Sequence, residues 1–133
     1  MKKIVLFLLV SLAVSCSGIE PKDIELLNGY WEIHKVEIPS GEKKEYKVNE
    51  SVDYFEIADL KGFRKKLVPQ MDGTFLTNEV QENITVEFKD DKVILHYKTN
   101  YASWDEEMIS LTDKELVVKN QQDIKYFYTK KQF

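Results

Sequence analysis

Between residues 30 and 130 the chain is a succession of short segments rich in Tyr, Phe, Val, Ile and Thr, each broken by turn-forming residues. This punctuation restricts the fold more than any other feature. The clearest case is the stretch ITVEFKDDKVILHY. In it Ile84, Val86 and Phe88 share one face, while Thr85, Glu87 and Lys89 share the other. Across Asp90 and Asp91, Val93, Leu95 and Tyr97 continue the apolar face, leaving Lys92, Ile94, His96 and Lys98 outward. Alternation with period two marks a half-buried strand, and two such runs joined by two turn residues make an antiparallel hairpin.

The same reading places strands at 30–38, 52–57, 62–68, 74–77, 84–89, 92–99, 104–111, 115–119 and 125–130. Pro39-Ser40-Gly41, Asp72-Gly73 and Thr112-Asp113-Lys114 supply further breaks. Ile109, Leu111, Leu116 and Val118 extend the inward set. Phase alone does not decide between Phe127 and the pair Tyr126 and Tyr128. In the first strand Trp31 and Ile33 share a phase that Val36 and Ile38 do not, which a β-bulge near His34 and Lys35 would reconcile. Before the strands, residues 23–27 read as one helical turn with Ile24 and Leu27 on a common face, stopped by Asn28 and Gly29. Short, regular spacing without intervening helices predicts an all-β, antiparallel up-and-down barrel of about eight or nine strands rather than a βαβ arrangement.

The first residues follow a different pattern. Lys2 and Lys3 precede an apolar run from Ile4 to Val14, and small residues lead into Cys16, the only cysteine among 133 residues. That order is expected of a cleaved secretory leader, and the run is about half the roughly twenty residues a membrane-spanning helix needs. The residues Leu12-Ala13-Val14-Ser15-Cys16 resemble a bacterial lipobox, which implies cleavage before Cys16 and attachment of lipid to its sulfur. Ala13 stands where leucine is commoner. The expected organisation is a leader over 1–15, a lipidated tether over 16–22 and one barrel domain over 23–133. With 19 basic and 23 acidic side chains, and two of the basic ones in the leader, the domain is acidic. Acidity disfavours nucleic acid as a partner and leaves the acyl chains, not surface charge, as the tie to a membrane.

The segment Asn28-Gly29-Tyr30-Trp31 resembles the Gly-x-Trp element that opens the first strand of lipocalins. The stretch MISLTDKELVV, followed by Tyr126-Phe127-Tyr128, looks like the C-terminal half of the small lipocalin-like domains found in lipoproteins of Bacteroidetes-type bacteria. The resemblance covers most of residues 24–130 and lacks a counterpart of the later arginine motif of animal lipocalins. It implies that Gly29 and Trp31 form the barrel floor, Trp31 packing beneath the strands. It also implies that a small apolar or amphipathic molecule sits at the opposite mouth.

Catalytic chemistry has no address in the sequence, and no cofactor is implied. Nucleophile elbows, phosphate loops and dinucleotide fingerprints are absent. His34 and His96 both fall on outward phases, with no metal-ligand spacing between them. Asp105, Glu106 and Glu107 alternate faces, so no adjacent pair converges. Arg64, Lys65 and Lys66 form the one concentrated basic cluster. In a strand, either Lys65 or both Arg64 and Lys66 must point inward, where a cation is costly unless water or an anion meets it. The cluster is therefore a candidate contact for a ligand carboxylate, against the alternative of a lysine-protected strand edge. These features together lead to the expectation of a non-enzymatic, lipid-anchored protein of the outer membrane, its periplasmic face favoured. The alternative is an interaction or scaffold module with a filled barrel.

Overall fold

The computed structural model describes residues 18–47, 49–77 and 80–133; the expected leader and Cys16 lie outside the described residues. A short 3-10 helix, Pro21–Leu27, comes first. Pro21 supplies a preset φ at the helix start, and the Glu20 amide donates to Asp23 Oδ2 at 2.8 Å, closing the first turn. Ile24 and Leu27 are buried as their spacing predicts, and Ile19 joins them in the core, so the folded domain begins inside the stretch expected as tether.

Ten strands follow: β1 (Gly29–Glu37), β2 (Lys43–Glu45), β3 (Val52–Ala58), β4 (Lys61–Pro69), β5 (Phe75–Thr77), β6 (Glu82–Lys89), β7 (Lys92–Lys98), β8 (Ser103–Leu111), β9 (Glu115–Asn120) and β10 (Lys125–Lys131). Pairing runs β1-β3-β4-β6-β7-β8-β9-β10, and β10 returns to β1, so these strands close an antiparallel barrel. β2 pairs only the upper part of β1, and β5 only the upper part of β4. β2 escapes sequence reading because its three residues, Lys43-Lys44-Glu45, are charged and exposed, with no apolar face to alternate.

Two irregularities set the inward phase. A register shift between Ile33 and Lys35 puts both Ile33 and Val36 on the inner side of β1 and lies where the sequence requires a bulge. A second shift, between Met108 and Ser110, was not expected. It corrects the inward assignment of Ile109: Met108 and Leu111 are the buried residues of β8, while Ile109 is only half-buried. On β10, Tyr126 and Tyr128 pack on the core and Phe127 faces outward, beneath the Lys35 ammonium at 4.0 Å.

The barrel is sealed at the end where β1 begins. Trp31 is fully buried and its indole N–H donates to the Leu27 carbonyl at 2.8 Å. The Lys130 ammonium lies 5.3 Å from the Trp31 ring and donates to the Leu26 carbonyl at 3.0 Å. Asn28 acts as an extra rung: its side chain donates to the Ile57 carbonyl at 3.1 Å and accepts from the Ile57 amide at 2.6 Å. Gly29 has φ +121°, a conformation that L side chains rarely adopt, and a Cβ there would stand 3.1 Å from Lys130 Cε. Above this floor Phe55, Ile57, Ile84, Val86, Val93, Leu95, Met108 and Leu116 fill the interior.

Two substitutions probe this architecture. A Cβ at Gly62 would run into the Glu56 carbonyl and Ile57 Cα of the neighbouring strand. Gly62→Ala should therefore lower the urea-unfolding free energy by about 1–3 kcal/mol. The β6–β7 turn holds Asp90 and Asp91 at φ +51° and +60°. Replacing the pair with Asn-Gly, which suits that turn, should raise stability by about 0.5–1 kcal/mol in the same assay.

Candidate functional site

Above the apolar layer, β4 turns a cation into the barrel. Gly62 faces Ile57 and Ile84 across the neighbouring strands, and the next inward residue is Arg64, opposite Phe55 on β3 and Glu82 on β6. Arg64 Nε and Nη2 each donate to Glu82 at 2.9 Å, one bond to each carboxylate oxygen. Such bidentate pairing is stronger and more directional than a single charged hydrogen bond. Nη1 stands 3.7 Å from Glu106 Oε1 on β8. The guanidinium carbon lies 4.5 Å from the Tyr97 ring centre on β7, and the Trp104 ring stacks on Tyr97, centres 5.3 Å apart and planes inclined by 4°. Asp53, one inward step from Phe55 toward the open end of β3, and Tyr128 on β10 complete the cluster.

Burial opposes the Arg64 charge, but Tyr97, Glu82 and Asp53 outweigh it and hold the guanidinium protonated well above its ordinary range. Desolvation pushes the Glu106 carboxyl up, against the pull of Arg64 and Tyr97, and pushes Asp53 up against Arg64 and Lys66. The Tyr97 and Tyr128 hydroxyls are raised by burial as well and stay neutral. Three carboxylates thus meet one buried guanidinium. Two polar atoms there have no hydrogen-bond partner: the Tyr97 hydroxyl and Glu106 Oε1. They lie close enough to influence each other's ionisation without closing a bond of good geometry.

The basic triplet does not act as a unit. Arg64 points inward. Lys65 points outward, its ammonium 5.4 Å from the Phe63 ring. Lys66 has the inward phase, opposite Asp53, but is exposed at the open end. Glu82 takes the Nε–Nη2 edge of Arg64, and Nη1 faces Glu106. Gly29 and Trp31 sit at the sealed end, and across the β1–β3 ladder they stand opposite Phe55 and Asp53, so the floor adjoins this layer. His96 lies outside, with Nδ1 2.6 Å from Asp105 and Nε2 3.6 Å from Glu87. His34 packs against the outer Phe127 ring at 6.2 Å. Among the described residues no group of His, Cys, Asp and Glu could hold a metal ion.

Sequence reasoning passed over Asp53, Glu82, Tyr97, Glu106 and Tyr128 as site residues. The signal was present in the phases. Asp53 is in step with Phe55 and Ile57, and Glu82 with Ile84 and Val86. Glu106 alternates away from Asp105 and Glu107. Depressions of about 630 Å³ beside the helix and about 390 Å³ over the outer faces of β6–β9 lie outside the barrel wall. Water reaches the cluster itself, since the Arg64 and Glu82 side chains retain 13% and 21% exposure.

Removing the guanidinium would leave carboxylates buried together without a counter-charge. Arg64→Met should therefore cost about 3–5 kcal/mol in chemical denaturation at pH 7. For Glu106 the native carboxyl titrates above its unfolded value, so its ionised form weakens the fold at neutral pH and that penalty disappears as pH falls toward 4.5. Glu106→Gln should raise the melting temperature at pH 7, and the gain should shrink steadily on acidification.

The comparisons agree with this architecture. Residues 27–118 match the family described as the lipocalin-like domain. An uncharacterised protein from Bacteroides eggerthii superposes with a TM-score of 0.51 at 15% identity, over 79% of this chain and 99% of that one. Apocrustacyanin C2 gives 0.51 at 10% identity, over 84% of this chain and 64% of its own. A lipocalin-like protein from Bacteroides uniformis gives 0.49 at 12% identity, over 80% of this chain and 99% of its own. No curated protein matches by sequence. At these identities the two structures with a TM-score of 0.51 speak for the fold alone, while the family match spans well over half of the residues: the chain belongs to the lipocalin-like domain family.

Proposed function

We propose that this protein is a non-enzymatic, lipid-anchored component of a bacterial envelope that holds a small apolar or amphipathic molecule in the mouth of its barrel. The observation that carries the reading is the asymmetry of the barrel interior. One end is sealed by Trp31, Leu27 and the Asn28 rung, whereas further along the strands lies a polar layer in which the Arg64 and Glu82 side chains retain 13% and 21% exposure. A molecule entering there would meet Trp104 and Tyr126 as apolar walls, both half-buried against the core. Ligand sites combine such walls with a few convergent polar groups. The lipobox-like residues before Cys16 support attachment to the outer membrane, with the periplasmic face favoured.

A second reading, an interaction module, draws support from the outside of the barrel. Tyr30 stacks on Phe75 at 5.3 Å and meets Tyr54 at 5.0 Å and Phe133 at 5.2 Å, beside exposed Leu76. Aromatic strips of this kind mark contact surfaces. Native mass spectrometry of the protein purified from its own host separates the two. A small-molecule adduct, lost on denaturation, is the expected result; a bare chain mass with co-purifying protein would favour the module instead. For the anchor, Cys16→Ser should shift the protein from the membrane fraction to the soluble fraction, and unchanged retention would remove the lipid from the account.

A further inference from the structure

The point at which the chain enters the barrel decides which end an anchor would hold. This step rests on the proposed lipidation of Cys16 and concerns how the anchored barrel stands on its membrane. Ile19, three residues beyond Cys16, is 9% exposed and belongs to the hydrophobic core. With Gly18 it borders the β6–β7 turn at Asp90 and Asp91. Ile24 and Leu27, 2% and 0% exposed, fasten the helix that follows beneath Trp31. Antiparallel pairing brings the β3–β4 turn at Asp59 and the β8–β9 turn at Asp113 to this same sealed end. Three residues of extended chain span at most about 11 Å. The barrel is taller than that reach. β1 has nine residues, which at a tilt of about 40° rise about 20 Å along the axis.

We propose that the anchored protein stands floor-down: its short tether holds the helix and the Asp59, Asp90 and Asp113 turns next to the lipid headgroups and turns the opposite end toward the aqueous phase. Presenting that opposite end to the bilayer would require a longer tether. The chain could supply one only by drawing Ile19 and then the helix out of the core. Ile24 and Leu27 would be exposed, and the Trp31 indole N–H would lose the Leu27 carbonyl. The floor turns carry Asp59, Asp90, Asp91 and Asp113, carboxylates that gain nothing from an anionic lipid surface. Covalent attachment, not affinity of the floor for lipid, therefore sets the orientation. Ile38, Met71, Leu76, Val80 and Tyr101, exposed apolar residues in the connections at the opposite end, are kept off the bilayer, and whatever they engage is met from the aqueous side.

The test uses the processed protein purified from membranes of its own host and reconstituted into nanodiscs of phosphatidylethanolamine and phosphatidylglycerol carrying a gadolinium chelate on some headgroups. Paramagnetic broadening of amide signals is compared between Asp113 and Lys114, in the β8–β9 turn, and Gln121 and Gln122, in the β9–β10 turn, at opposite ends of β9. Broadening should be several-fold stronger at Asp113 and Lys114. A Gly-Ser linker of about twenty residues inserted after Ser17, with a root-mean-square reach of about 25 Å, should erase that difference while retention on the discs persists. Equal or stronger broadening at Gln121 and Gln122 in the wild-type protein would overturn the orientation and leave the anchor in place. A difference that survives the linker would assign the orientation to the floor's own affinity for lipid and overturn the tether as its cause. A protein that does not stay with the discs would overturn the anchor reading and this inference together.

Discussion

The pair between Arg64 and Glu82 is the interaction around which the rest of the barrel is arranged. It is the last rung of the β4–β6 ladder: below it the two strands pair continuously, and above it β4 pairs with β5 instead. The pair also lies inside the barrel, where an unneutralised charge would be costly. Bidentate geometry answers that cost for one carboxylate. The side chains around it follow from the same constraint, with Phe55 and Tyr97 beside the guanidinium plane and Glu106 and Asp53 on its remaining sides. Buried ion pairs of this type contribute little net stability compared with an apolar replacement of equal volume.

The opposite end is built for closure. Leu27 accepts from the Trp31 indole, Asn28 bridges to Ile57, and Lys130 covers both the ring and the Leu26 carbonyl. Each contact satisfies a polar group that burial would otherwise strand. The contrast in hydrogen-bond satisfaction between the two ends links fold to function.

Much of the fold was legible because period-two alternation reports directly on which face is buried. The hairpin of β6 and β7, the inward phase of β9 and the bulge after Ile33 could all be read from residue order. The bulge after Met108 could not, since Ile109 and Leu111 form an unbroken alternating pair that hides the extra residue. β2 was invisible because it has no buried face. The site was legible only in part. Residues 64–66 stood out as a basic cluster with its inward member left open, but the partners of Arg64 come from β3, β6, β7 and β8, and sequence separation carries no sign of such convergence. Extending the inward phase one residue beyond each apolar run, to Asp53 and Glu82, would have recovered two of its three carboxylates.

The most direct test of this arrangement is the Arg64 side-chain Nε–Hε resonance, followed by heteronuclear NMR in the folded protein at pH 7. A proton held at 2.9 Å by Glu82 inside the barrel should give a resolved signal displaced from the free-arginine position and slow to exchange with water. Mutation of Glu82 to Gln should move that signal more than any change on the outer face. A sharp, rapidly exchanging resonance at the free-arginine position would mean that Arg64 lies in solvent, and the polar layer at the mouth would not exist.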